Sequence, residues 1–102
     1  MIDLSTLEGF EWDDGNRDKN WKQHKVHWTE AEEAFLNEPV ILIPDPHHSQ
    51  VETRLALLGR TLADRRLAIV FTVRKNRVRV ISARDMSKKE RRIYDETLEK
   101  NP

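Results

Sequence analysis

The sequence predicts an α+β fold in which short helices precede an antiparallel sheet and one helix follows it. Three observations carry that reading. The run from Leu67 to Arg84, LAIVFTVRKNRVRVISAR, holds two β-branched stretches that meet at Lys75-Asn76, a pair suited to a two-residue hairpin turn. Two helix starts read as capping boxes, Thr29-Glu30-Ala31-Glu32 and Ser87-Lys88-Lys89-Glu90, in which a hydroxyl and a carboxylate each satisfy a backbone amide. Pro39 to Ile43 is a further apolar, β-branched run, cut off by Pro44-Asp45-Pro46.

In chain order, residues 1–9 read as a flexible lead-in and residues 10–102 as one domain, large enough for a single core. Phe10-Glu11-Trp12 fits a short strand ending at Asp13, whose carboxylate can cap a helix over Asp14 to His24 with Trp21 as its clearest apolar anchor. The next helix carries the stripe Ala31, Ala34, Phe35 and ends near Asn37. After the Pro39–Ile43 strand comes a polar loop, His47-His48-Ser49-Gln50, and then a strand over Glu52 to Thr61. Asp64-Arg65 supplies the turn into Leu67–Val73, and Arg77–Ala83 completes the meander. The closing helix, opened by Ser87, brings Ile93, Tyr94, Thr97 and Leu98. There are no internal repeats.

A turn at Lys75-Asn76 sets Arg74 opposite Arg77 and Thr72 opposite Arg79, so one end of one hairpin face is cationic. Strict alternation continues that face into Val70, Ile81, Ala68 and Ala83, an apolar platform for the last helix. The opposite face carries Ile69, Phe71, Val73, Val78 and Val80 and can seat on a core. The same alternation sends Arg84 away from Arg79 unless a bulge near Ser82 intervenes.

Equal numbers of basic and acidic residues conceal a segregation. Residues 1–52 hold 12 acidic against 4 basic side chains, and residues 53–102 hold 6 against 14. A basic half of this kind can attract a polyanion, although folding can bring acids beside it. The absence of cysteine excludes disulfides, thiolate zinc sites and a cysteine nucleophile. No apolar run approaches ~20 residues and no signal-peptide pattern opens the chain, so the expectation is a cytoplasmic protein with no membrane role.

Guanidinium groups present fixed forks of donors that match phosphate oxygens and can stabilise the charge that builds up during phosphodiester cleavage. The bland alternative is a solvated ionic face paired with upstream acids. His24, His27, His47 and His48 are the side chains whose ordinary titration suits proton transfer near neutrality. His47-His48 beside Asp45 lacks a ligand spacing tied to a regular element, so no metal or cofactor is expected there. His24 also fits a helix C-terminus, where its charge suits the dipole. Glu52 and Arg54 share a strand face, as an ion pair or as a base beside a phosphate clamp. Tyr94 reads either as core or as a hydroxyl reaching the arginine face, and Trp12, Trp21 and Trp28 as core anchors or base-stacking groups.

These segments resemble, in order, those of the BrnT toxins of bacterial type II toxin–antitoxin pairs, compact ribonucleases with a RelE-like fold. Phe10-Glu11-Trp12-Asp13 is similar to the family's opening F-E-W-D, and Asn20, Lys22, His24 and Val26 to its N-x-K-x-H-x-V segment. Glu30, Glu33 and Ala34 match its acidic helix, Asp45 to Ser49 with Glu52 and Arg54 its D-x-x-H-S…E-x-R segment, and Gly59 to Thr61 its G-x-T. The most specific part is Phe71-Thr72-x-Arg74, then Arg79-x-Ile81-Ser82-Ala83-Arg84, Glu90 and Tyr94. Lys25 departs from the pattern: it stands where the family has glycine, and is strained if that turn needs a positive φ.

The resemblance implies a metal-independent endoribonuclease that stops translation. It is neutralised by a BrnA-like antitoxin, through which alone it meets DNA, in a heterotetramer of two toxins and two antitoxins. Carried onto this chain, Arg74, Arg79 and Arg84 bind the scissile phosphate; His24, Glu52 and Tyr94 assist catalysis; and Arg54, Lys75 and Arg77 hold RNA. The competing reading is a non-catalytic module that uses the basic sheet face to bind protein or RNA.

Overall fold

The computed structural model describes residues 7–44 and 54–100. Helices α1 (Asp14–His24) and α2 (Trp28–Leu36) are followed by strands β1 (Ile41–Pro44), β2 (Leu55–Arg60), β3 (Arg66–Arg74) and β4 (Arg77–Asp85), and by helix α3 (Lys88–Lys100). The strands form one antiparallel meander in sequence order. The expected α+β architecture is therefore what the chain adopts. The loop holding Asp45, His47 and His48, and also Glu52, lies outside the described residues.

Alternation along the strands divides the apolar residues between two layers. Leu57, Ile69, Phe71, Val78 and Val80 face α2, whose Ala31, Ala34 and Phe35 complete the main core. Leu58 and Ala68 point the other way, where Tyr94 of α3 packs on them, flanked by Ile41 and Leu98. Gly59 is required by the first layer: a Cβ there would stand 2.6 Å from the Ala34 carbonyl oxygen, so α2 rests directly on the β2 backbone.

α1 is held differently from the sequence expectation. Trp21 is 50% exposed, and the buried residues of the helix are Asn16 and Asn20. The reason lies in β4, a sheet edge whose outward backbone groups need partners. The Asn16 amide donates to the carbonyls of Val80 and Glu11, and Asn20 accepts from the Ala83 amide. Polar satisfaction of an edge thus takes the place of an apolar stripe.

The lead-in completes the same edge. Glu8 donates to the Asn76 carbonyl, Val78 to Gly9, and Glu11 to Val78, with Phe10 forming a single parallel bridge to Val78. Residues 7–9 are tied to β4, and the short strand expected at Phe10 to Trp12 is reduced to that bridge.

Three local expectations are corrected. α2 is capped by His27 and Glu30, two residues before the expected box, because the His27 ring accepts from Thr29 while Glu30 reaches back to the His27 amide. Glu32 is instead engaged by the Trp12 indole at 2.7 Å. The β2–β3 turn falls at Leu62 and Ala63, with Asp64 at φ 70, and leaves Arg65 free to reach elsewhere. The box at Ser87 and Glu90 forms as expected.

Candidate active site

The hairpin register matches the sequence pattern near its turn: Arg74 pairs with Arg77 and Thr72 with Arg79, with Lys75 and Asn76 both at positive φ. That backbone is the two-residue primed turn whose twist suits the strands. Further along, the register skips: Phe71 pairs with Val80, but Val70 pairs with Ser82. Ile81 is therefore the extra, bulged residue. Beyond it every β4 side chain changes face. Ala83 enters the main core, against the expectation that it would lie on the arginine face, and Arg84 comes opposite Ala68, onto the side that carries Arg79.

The arginines share a face without forming one cluster. Arg74, Arg77 and Arg79 gather at the turn end, while Arg84 lies five residues beyond Arg79, roughly 15 Å along the strand. Arg54 directly precedes β2, in phase with Ala56 and Leu58, so the register carried one step beyond Leu55–Phe71 sets it across from Thr72 and in the row of Arg79. α3 covers the Leu58–Ala68 end, leaving the row of Ala56, Val70 and Ser82 only partly covered.

Two of these cations are paired with carboxylates, and for Arg79 the partners are the upstream acids that the bland alternative supposed. Arg79 donates to Glu11 and to Asp13, each at 2.9 Å, and Arg84 grips Glu90 bidentately at 2.7 and 2.9 Å. The Asp13 carboxyl lies below its ordinary range because the Asn16 amide and then Arg79 favour its charged form. Arg84 likewise holds Glu90 down at about 2. Both acids belong to helix starts, where negative charge is already favoured.

An open cavity of about 270 Å³ remains beside Arg79. It lies between the first turns of α1 and the hairpin, and is lined by Gly15, Asn16, Lys19, Arg74, Arg79, Val80 and Ile81. Three cationic side chains from three elements meet there. Asn16 and Lys19 were not singled out by sequence reasoning; their only signal is a three-residue spacing on one flank of a helix, which many surface pairs share.

The other expected residues lie elsewhere. The Tyr94 hydroxyl donates to the Pro39 carbonyl at 2.6 Å and its ring lies under the Arg66 guanidinium, in the α3 layer. His24 ends α1, eight residues and roughly 12 Å beyond Asn16, near Asp85, whose carboxylate is kept charged chiefly by the Arg65 hydrogen bond and to a smaller extent by His24. Lys75 and Arg77 are exposed at the turn. Arg65, read from the sequence only as a turn residue, bridges Glu30 and Asp85 and donates to the carbonyls of His24 and Lys25.

A family model described as "ribonuclease toxin, BrnT, of type II toxin-antitoxin system" matches residues 12–90. The chain belongs to the BrnT family. No curated protein sequence matches it at a significant level. As a BrnT-family toxin the chain is a ribonuclease with an antitoxin partner. The matched span runs from Trp12, just before the capping aspartate of α1, to Glu90, the partner of Arg84, and so contains the whole cationic face. Among the described residues, no helix is long and apolar enough to cross a membrane.

Proposed function

We propose that the protein is a metal-independent endoribonuclease of the cytoplasm that halts translation by cutting RNA at the turn end of the hairpin face. A BrnA-like antitoxin neutralises it, in a complex of two toxins and two antitoxins that meets DNA only through the antitoxin. Residues 10–102 act as one catalytic domain. The observation that carries this reading is the open cavity where Arg74 and Arg79 stand together.

In the proposed reaction the RNA 2′-oxygen attacks its own 3′-phosphorus, the bond to the 5′-oxygen breaks, and a 2′,3′-cyclic phosphate and a 5′-hydroxyl result. The nucleophile loses a proton and the leaving oxygen gains one, so no water or metal enters the balance. Arginine stays protonated and stabilises the extra charge on phosphorus instead of moving a proton. Arg54, Lys75 and Arg77 extend the cationic track from which RNA approaches. Arg84, paired with Glu90, supports the far end of that track. His24, at the end of α1, and Tyr94, in the α3 layer, take supporting places in catalysis.

The test is incubation of the purified, antitoxin-free chain with bulk RNA in the presence of a chelator. Fragments ending in cyclic phosphate are expected. Arg74→Ala and Arg79→Ala are each expected to lower the cleavage rate by about 100-fold, the cost of removing one donor from a developing oxyanion. Salt-sensitive RNA binding without fragments, or a folded Arg79→Ala protein that still cuts RNA and arrests growth, would overturn the proposal.

A further inference from the structure

Lys19 is the one cavity-lining cation that comes from a helix. Its Nζ donates to the Ile81 carbonyl at 3.2 Å. Ile81 is the bulged residue of β4, skipped by the ladder between the pairs Phe71–Val80 and Val70–Ser82. The bulge that carries Arg84 onto the arginine face thus also turns a backbone acceptor toward α1, and that acceptor fixes where the Lys19 ammonium stands. An ammonium has three donor hydrogens, and the Ile81 carbonyl takes one. Asn16, one helical turn earlier, is bound to the neighbouring Val80 carbonyl, so the helix face that presents Lys19 is pinned at two successive strand positions. Lys19 lines the cavity from α1, together with Arg74 of β3 and Arg79 of β4.

We propose that Lys19 is a substrate-contacting residue of the ribonuclease. In this role it donates to a phosphate of single-stranded RNA held in the cavity of Arg74 and Arg79, and makes that cavity a three-cation cradle built from α1, β3 and β4. The proposal rests on the cleavage site proposed above. Two of the cavity's cations are guanidinium groups carried by one hairpin. The ammonium carried by α1 adds a donor from a third element, and as a point charge it accepts any phosphate orientation that the flatter guanidinium forks leave open. Because Arg79 is held by two carboxylates, Lys19 supplies cationic charge at a point in the cavity where Arg79 is already partly neutralised.

The alternative is that Lys19 only ties α1 to the bulge. Lys19→Met keeps the side-chain length and removes the charge, while Lys19→Arg keeps the charge. Binding is measured with a mixed-sequence single-stranded 2′-O-methyl RNA of about twelve nucleotides, which lacks the nucleophile and stays uncut, at several salt concentrations. Thermal melting is followed in parallel. Loss of one phosphate contact reduces the slope of log affinity against log salt by about 0.7. The expected result is that reduction in Lys19→Met, with affinity about 3- to 10-fold lower at low salt, and a wild-type slope in Lys19→Arg. A Lys19→Met protein with the wild-type slope and affinity overturns the proposal, whether or not its melting temperature falls. If the wild type cuts RNA and Arg79→Ala does not, such a result rejects Lys19 alone. If the wild type fails to cut, the cleavage reading fails first.

Discussion

Lys25 shows what one side chain costs when the fold dictates its backbone. It caps α1 at φ 55, ψ 35, and its amide donates to Asn20 and Trp21 carbonyls, the arrangement in which glycine is favoured. The departure noted in the sequence is thus a real strain: a side chain sits in a left-handed conformation that only glycine adopts freely. Lys25→Gly is expected to raise stability by about 0.5–1 kcal/mol, read as a higher denaturation midpoint; an unchanged or lower midpoint would mean that the Lys25 ammonium over Trp21 matters more. Glu90 makes a pH prediction. Its carboxyl falls from an ordinary 4.5 to about 2, chiefly through its hydrogen bonds with Arg84. A folded value below the unfolded one stabilises fully above about pH 4.5, and the contribution is lost as pH falls toward 2. Glu90→Gln keeps the capping geometry but not the charge. It is expected to melt below wild type at pH 7, with the gap closing between pH 4.5 and 2. A gap that stays constant down to pH 2 would contradict the assignment.

At the scale of elements, close approach and edge satisfaction decide where helices lie. Gly59→Ala places a methyl group 2.6 Å from the Ala34 carbonyl, a backbone atom that cannot rotate aside. α2 must shift, and a loss of about 1–3 kcal/mol is expected, seen as a lower melting temperature; a neutral result would show that the helix rides more loosely on β2 than its coordinates imply. Most elements were legible in the sequence. The hairpin turn, the Ser87 cap and the α1 limits follow from local chemistry and appear as expected. The misreadings have separate causes. Trp21 looked like an anchor because apolar residues usually face inward, but α1 abuts an edge strand whose amides and carbonyls require Asn16 and Asn20. The bulge at Ile81 was anticipated only as a condition for Arg84, since nothing in the residues around Ser82 announces an extra position in a ladder.

Across the whole molecule, the separation of charge between the two halves of the sequence is partly undone by folding. Acids of the first half meet bases of the second: Glu11 and Asp13 hold Arg79, and Glu30 holds Arg65. These carboxylates occupy donors that an RNA phosphate would otherwise take. The double variant Glu11→Gln, Asp13→Asn preserves the cap, because asparagine serves at that position as well as aspartate, and releases Arg79. It is expected to bind single-stranded RNA several-fold more tightly at low salt and to lose the advantage as salt rises. Equal affinity across the salt range would mean that phosphate uses the free edge of Arg79 without disturbing the pair.

The residues alone determined the fold class, the hairpin with its row of arginines, and the family, because those depend on periodicity, turn chemistry and motif order. Which arginines carry a carboxylate, where Lys19 stands and what the Tyr94 hydroxyl binds depended on contacts between segments distant in the chain. Such contacts follow from how layers pack and how an edge strand is satisfied, and no local pattern encodes them.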